Sequence, residues 1–294
     1  MVTTVVSILM PTYNDYDSIY FSIKSIISQD YHDWELIIIN DGSLDNTDEI
    51  VHSFRDSRIK YIKLNQNRGQ LNALLEGKKY ITGQYVTMLH SDDEFLSKKS
   101  LSSSMSMIKK NNLDGIYSDL QIINEKGDFC GIFKTVDHVS RKTLANVFLL
   151  RGANLLSDIF FVKRECFEKF VVSNYLSWNM PYWFHIDKEI YIANLKKVSP
   201  WYGYHLHNQN YILSDIGKFE VFNGMLRTTL TLSQFFNEYK LSRLPRISEL
   251  LIRKYNLSFF SSSPYNGSLF DLIKSVYYGI YGEENPLNNQ YLDV

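Results

Sequence analysis

Cysteine is nearly missing from this chain: 294 residues carry two, Cys130 and Cys166. Neither stands at metal-ligand spacing from the other, and so sparse a pair excludes a disulfide-built scaffold. Reduced thiols and a cytoplasmic protein are expected. Long hydrophobic runs are missing too. None approaches the ~20 residues that a membrane span needs, and no basic-then-apolar leader opens the chain. A soluble protein is expected, with contact at the inner face of a membrane left open. Charge of one sign is lacking: 31 Lys and Arg oppose 32 Asp and Glu, for a formal net charge of -1. Nothing therefore draws the molecule to nucleic acid as a class. No Gly-x-Gly-x-x-Gly follows a strand and no Gly-Lys-Ser/Thr loop occurs, which argues against dinucleotide and P-loop nucleotide binding.

What is present is a core-rich composition, 45% hydrophobic, with 21 Tyr and 18 Phe. Val5 to Pro11 reads as a buried strand, and Thr12, Tyr13, Asn14 and Asp15 form the loop after it. A helix follows, capped by Asp17 or Ser18, with Ile19, Ile23, Ile26 and Ile27 on one side. Glu35 to Asn40 is almost continuously apolar, as a parallel strand covered on both faces is. Asp41-Gly42 is a turn, and Asp45 or Asn46 caps the next helix. Ile59 to Leu64, a turn at Asn67-Arg68-Gly69 and a helix over Gln70 to Tyr80 complete the unit. Strand, loop and helix thus alternate three times, the pattern of an α/β fold with a mostly parallel sheet and helices on both faces.

The next stretch, Tyr85 to Leu96, organises the rest. It opens as an apolar strand and stops at His90, Ser91, Asp92 and Asp93. In open α/β sheets, ligands gather at the carboxyl ends of strands. Two adjacent carboxylates there repel unless a cation intervenes. A divalent metal holding a diphosphate would meet that need, because hard cations take carboxylate and phosphate oxygens together. The alternative is that Asp92 and Asp93 merely cap a helix starting near Ser97.

Ser7-Ile-Leu-Met-Pro-Thr-Tyr-Asn14, Trp34-Glu-Leu-Ile-Ile-Ile-Asn-Asp-Gly-Ser43 with Asp45-Asn-Thr47, Asn67-Arg-Gly-Gln-Leu-Asn-Ala73 and Gly83 through Asp93 come in order over the first hundred residues. Together they resemble family 2 glycosyltransferases of the GT-A fold. The resemblance implies a nucleotide held by the first two loops, with Thr12 and Tyr13 at the base and Tyr13 stacking. It implies that Asp41 accepts from the N3–H of uracil or thymine, as an acceptor-only carboxylate can, and that Arg68 reaches phosphate or base. Asp92 and Asp93 match the metal motif, although His90 stands where the family's first Asp would be. The expectation is Asp93 on Mn2+ or Mg2+, with Asp92 beside it toward the nucleotide. Asp187 falls on the family's catalytic base, with Glu189 as a second acid and Ile186 in place of the usual Glu. Asp187 could also simply cap a helix. His207, in Pro200 to Asn210, would complete the metal shell or touch phosphate; His205 and His207 could instead only line a strand.

Residues 1–214 then form the catalytic domain and 215–294 a helical appendage. Apolar periodicity runs over Phe219 to Lys240, Leu244 to Lys254 and Leu269 to Tyr281. Packing on the core is the plainer role for it, with a homo-oligomer contact or a membrane-surface face as alternatives. The function implied is an inverting, metal-dependent transfer from a UDP-sugar to a saccharide or glycoconjugate acceptor in surface glycan synthesis. The alternative is a nucleotide-sugar-binding scaffold that has lost catalysis.

Overall fold

The computed structural model describes residues 5–124, 126–135, 159–170, 190–194 and 202–207. All of these belong to one compact unit made of Met1–Asp137, Leu156–Ser173 and Met180–His207. A second unit, His138–Leu155, Asn174–Asn179 and Asn208–Val294, lies outside the described residues. The expected boundary after residue 214 and the expected C-terminal helices lie there too.

The chain opens β1 (Val6–Thr12), α1 (Ile19–Ile27), β2 (Trp34–Asn40), α2 (Thr47–Ser53), β3 (Ile59–Lys63), α3 (Gln70–Lys78) and β4 (Tyr85–Met88). After β4 come β5 (Glu94–Phe95), α4 (Ser100–Asn111), β6 (Gly115–Tyr117), β7 (Leu120–Asn124) and β8 (Phe129–Phe133). The remaining described elements are β9 (Phe160–Lys163), α5 (Arg164–Phe170), β10 (Ile192–Asn194) and β11 (Tyr202–Leu206). Among the described residues these strands make two sheets: a seven-stranded one ordered β10-β6-β9-β4-β1-β2-β3, and a four-stranded one ordered β5-β11-β7-β8. The larger sheet is parallel except for β9, which runs antiparallel between β4 and β6. The α/β class with a mostly parallel sheet is therefore as expected; the second sheet was not foreseen.

All seven residues of β1 and all seven of β2 are buried, which is why neither alternates in polarity. Ile8, Met10, Leu36 and Ile38 turn to one face and join Ile19, Ile23 and Ile26 of α1 and Leu101, Met105 and Ile108 of α4. On the other face, Ile39 and Leu9 pack so tightly on α3 that a Cβ on Gly77 would lie 2.5 Å from Ile39 Cδ1. Burying each such side chain contributes about 1.5–3 kcal/mol, so among the described residues this double-sided layer is a large source of stability.

Register brings the strand ends level. Thr12 pairs with Asn40 and Asn40 with Lys63, so β1, β2 and β3 finish together. Met88 pairs with Leu9, and just past the strand the Ser91 hydroxyl donates to the Pro11 carbonyl at 3.1 Å. The loops after β1, β2 and β4 thus leave one edge of the sheet at one height.

Candidate functional site

At that edge the loops are tied to one another rather than left loose. The Asn14 amide donates to Ser43 Oγ at 2.9 Å, and the Leu44 amide donates back to Asn14 Oδ1 at 2.8 Å. Asn14 sits at a φ of +57°, a left-handed conformation that Asn tolerates better than most residues. The Asp15 amide donates to Thr47 Oγ1 at 3.1 Å, and the Tyr16 amide to Asp45 Oδ2 at 3.0 Å. Asp45 Oδ1 in turn receives the Thr47 amide at 3.0 Å, the local bond expected of an acidic residue before a helix. The first and second loops therefore form one surface.

Asp41 lies beneath that surface, 3% exposed, with its amide on the Thr12 carbonyl at 2.9 Å. Its Oδ1 accepts the Arg68 amide at 2.9 Å, so the third sequence block closes onto the second. Burial pushes the Asp41 carboxyl above its ordinary value, against the lowering pull of the Arg68 and Gly69 amides and the Arg68 charge. Gly42 makes the turn at a φ of +76°, where a Cβ would meet the Gln66 backbone at 2.6 Å. Tyr13 is 40% exposed on the first loop, with its ring open to a partner.

Asp15 joins this group to the acidic stretch. Its Oδ2 accepts from Thr12 Oγ1 at 2.8 Å, the Tyr13 amide at 3.0 Å and Ser91 Oγ at 2.5 Å. Burial raises the Asp15 carboxyl and the negative charge of Asp92 adds to that, while the Ser91 hydroxyl opposes it. Sequence had placed Asp15 only in a loop; the 76-residue separation from Ser91 explains why its role was not legible.

The acidic stretch does not cap a helix. α4 begins at Ser100, and its N-cap position is Lys99. Asp92, Asp93 and Glu94 instead meet β11. His207 Nε2 stands 3.0 Å from Asp92 Oδ2, and His205 Nε2 stands 3.1 Å from Glu94 Oε1. Asp93, 1% exposed, receives the Tyr202 hydroxyl on Oδ2 at 2.5 Å and the His205 amide on Oδ1 at 2.9 Å. The structure sets His207 against Asp92; the sequence reading gave His207 to a metal shell with Asp93, or to phosphate. The reason is the turn closed by the Asp93 amide on the His90 carbonyl at 3.1 Å. It sends the Asp93 side chain inward and leaves Asp92 half-buried at the edge. Burial would raise the Asp92 carboxyl, but the His207 hydrogen bond and the charges of His90 and His207 hold it below the ordinary value.

His90 takes a neighbour that sequence did not suggest, Gln70 Nε2 at 3.0 Å from its Nδ1. Gln70 opens α3, which starts from Gly69 at a φ of +86°. Thr12, Tyr13, Asp41, Arg68 and Asp92 are thus brought to one edge of the sheet, with His207 joined to it through Asp92. Asp187, Ile186 and Glu189 lie outside the described residues. Among the described residues, no three His, Cys, Asp or Glu side chains converge to hold a metal unaided, and no helix is long and apolar enough to cross a membrane.

This arrangement has relatives. The model of glycosyl transferase family 2 matches residues 7–189. WfgD of Escherichia coli, a UDP-Glc:α-D-GlcNAc-diphosphoundecaprenol β-1,3-glucosyltransferase, is 40% identical over 119 residues, 40% of this chain and 47% of that protein. The chain thus spans about half the length of that relative. TarS of S. aureus (residues 1–349), solved with UDP-GlcNAc, superposes with a TM-score of 0.61 at 17% identity over 94% of this chain and 81% of that one. The mannosyltransferase PcManGT of Pyrobaculum calidifontis, solved with GDP-Man and Mn2+, gives 0.53 at 14% identity over 93% and 78%. These two likenesses are of fold, and the fold is GT-A. The chain belongs to glycosyltransferase family 2.

Proposed function

We propose that the protein is an inverting glycosyltransferase that moves a sugar from a UDP-sugar to a hydroxyl of a saccharide or glycoconjugate acceptor. The observation that carries this reading is the meeting of Asp41, Arg68, Asp15, Ser91 and Asp92 along one edge of the sheet. In it, Tyr13 stacks on the base and Thr12 shapes the loop that receives it. Asp41, with one oxygen on the Arg68 amide, keeps lone pairs for the uracil N3–H. The Arg68 side chain is exposed and close enough to Asp41 to be steered to phosphate.

The donor set suits a divalent cation. Asp92 Oδ2 and His207 Nε2 are 3.0 Å apart, and adjacent octahedral ligands at about 2.1 Å from an ion also stand about 3 Å apart. The carboxylate is held in its ionised form, and a carboxylate beside an imidazole suits Mn2+ better than Mg2+, which takes oxygen ligands. Asp92 and His207 would hold the ion, with diphosphate oxygens completing its shell. Bound there, it would neutralise the diphosphate as that group leaves. This moves the sequence expectation from Asp93 to its neighbour.

Asp187 is the base by the family resemblance alone. It would take the acceptor hydroxyl's proton as the oxygen attacks the anomeric carbon from the face opposite the nucleotide, which inverts the centre. Such proton removal contributes typically ~10²–10⁴-fold. WfgD acts on a sugar carried by diphosphoundecaprenol; a lipid-linked or surface-glycan acceptor reached from the cytoplasmic side fits the same pattern.

His90 in the place of the family's Asp favours one second reading, a nucleotide-sugar-binding protein without turnover. A single experiment separates them: the purified chain is tested for stabilisation by UDP, dTDP, GDP and CDP with and without Mn2+, then for UDP release from UDP-sugars with saccharide acceptors. Mn2+-dependent stabilisation by UDP, turnover in the wild type and loss of turnover with retained binding in Asp187→Asn are expected. Binding without turnover for any donor and acceptor pair would favour the scaffold. No response to any nucleotide would overturn both.

A further inference from the structure

Three successive acidic residues, Asp92, Asp93 and Glu94, each meet β11 or the residue that follows it, but only Asp93 is sealed from solvent. A buried carboxylate is costly unless donors satisfy it. Asp93 has a hydroxyl on one oxygen and a main-chain amide on the other, at 2.5 and 2.9 Å. The Tyr202 hydroxyl also accepts the His90 amide at 3.3 Å, so one chain of hydrogen bonds runs from His90 through Tyr202 to Asp93. Such chains reinforce one another in a buried setting.

One side of the strand they grip is held by few main-chain pairs. On the other side β7 pairs with β11 along its whole length, from Tyr202 with Leu120 to Leu206 with Asn124, but on the side of the acidic turn β5 pairs with it at only two positions, Tyr202 with Phe95 and Gly203 with Glu94. It lies close as well: a Cβ on Gly203 would come within 2.8 Å of Leu96 Cδ2 and 2.9 Å of Ile123 Cδ1. His205 is in β11 and His207 directly follows its last residue, so a shift of the strand end away from the acidic turn would carry His207 away from Asp92.

We infer that Asp93 is a positioning residue: by clasping Tyr202 and the His205 amide it docks the β5 side of β11 on the acidic turn, and so sets His207 against Asp92. The role rests on the metal reading above, yet it assigns Asp93 to the strand rather than to the ion. Tyr202 becomes its necessary partner.

The test uses the full chain and two readouts. One is the Mn2+ concentration that half-saturates UDP binding; the other is hydrogen exchange at the His205 amide in the protein without nucleotide or metal. Tyr202→Phe keeps the buried ring and removes one oxygen. Asp93→Asn keeps an acceptor for the amide, whereas Asp93→Ala removes it. Tyr202→Phe and Asp93→Ala are expected to raise the half-saturating Mn2+ by about 10- to 100-fold. The double variant should be no worse than the poorer single one, and Asp93→Asn should recover most of the loss. The His205 amide should exchange faster in Asp93→Ala than in Asp93→Asn. If Asp93→Asn is as damaging as Asp93→Ala while Tyr202→Phe leaves Mn2+ affinity unchanged, Asp93 is a ligand and the inference fails alone. Unchanged exchange at His205 in Asp93→Ala sinks it without reference to any nucleotide. A wild-type chain that binds UDP with no dependence on Mn2+ removes the metal reading and this role together.

Discussion

Glu35 gathers four donors on one buried side chain. Ser7 Oγ lies at 2.5 Å and the Thr82 and Gly83 amides at 2.7 and 3.2 Å from Oε1, while Lys60 Nζ lies at 2.6 Å from Oε2. Burial alone would raise its carboxyl, but Lys60, Ser7 and Thr82 together hold it below the ordinary value of 4.5. A carboxyl whose folded value is depressed contributes stability that is full above the unfolded value and is lost as pH falls through the folded one. Glu35→Gln is therefore expected to cost about 1.5–3 kcal/mol near neutral pH, the range for hydrogen bonds to a charged group. The gap between variant and wild type should close as pH drops below 4.5; urea denaturation at several pH values reads both effects. A gap that stays constant into acid would show that the Glu35 charge contributes nothing. This role was not visible in the chain, where Glu35 stood only as the polar start of an apolar strand. Its partners lie 25 to 48 residues away.

At the scale of elements, turns of the same backbone class differ in what surrounds them. Gly42 and Gly127 both have positive φ, +76° and +83°. A Cβ at Gly42 would press on the Gln66 backbone, whereas at Gly127, in the β7–β8 hairpin, nothing lies within 4 Å. Gly127→Ala should cost only the backbone strain, on the order of 1 kcal/mol. Gly42→Ala should cost more, and it should weaken UDP binding as well, because the second loop and the Asn67–Gly69 turn must part around Asp41. Equal destabilisation by both, or intact UDP binding in Gly42→Ala, would contradict this. Asp41-Gly42 and Asn67-Arg68-Gly69 were both legible as turns, since turn chemistry is local. Helices α1, α2 and α3 and strands β1 to β4 were legible for the same reason. β5 was not, because two residues carry no period, and β11 could be read only as one option for His205 and His207.

At the scale of the molecule, a ligand that binds only the folded chain stabilises it by mass action, about 2.7 kcal/mol at a hundredfold excess over Kd. For a chain of 294 residues, whose unfolding entropy is about 0.6 kcal/mol/K, that corresponds to a rise in Tm of about 4–5 °C. UDP with Mn2+ should give such a rise, EDTA should reverse it, and Asp92→Ala should remove the metal-dependent part while Arg55→Ala, on an exposed charge away from the loops, leaves it. A rise that EDTA does not touch would separate nucleotide binding from the metal. Membership of glycosyltransferase family 2 makes this the direct global readout of the site.

The sequence by itself determined the α/β class, the order of the first four strands, the turns between them and the candidate residues Thr12, Tyr13, Asp41, Arg68 and Asp92. Each follows from side-chain period, turn chemistry or a block resemblance, all of which act over short stretches of chain. Only the tertiary structure decided that Asp15 reaches Ser91, that Gln70 meets His90, and that His207 faces Asp92 while Asp93 accepts from Tyr202 and the His205 amide. His207 and Asp92 are 115 residues apart. Which of two adjacent carboxylates meets a distant histidine depends on one tight turn and one strand register, and neither is written in the residues that flank them.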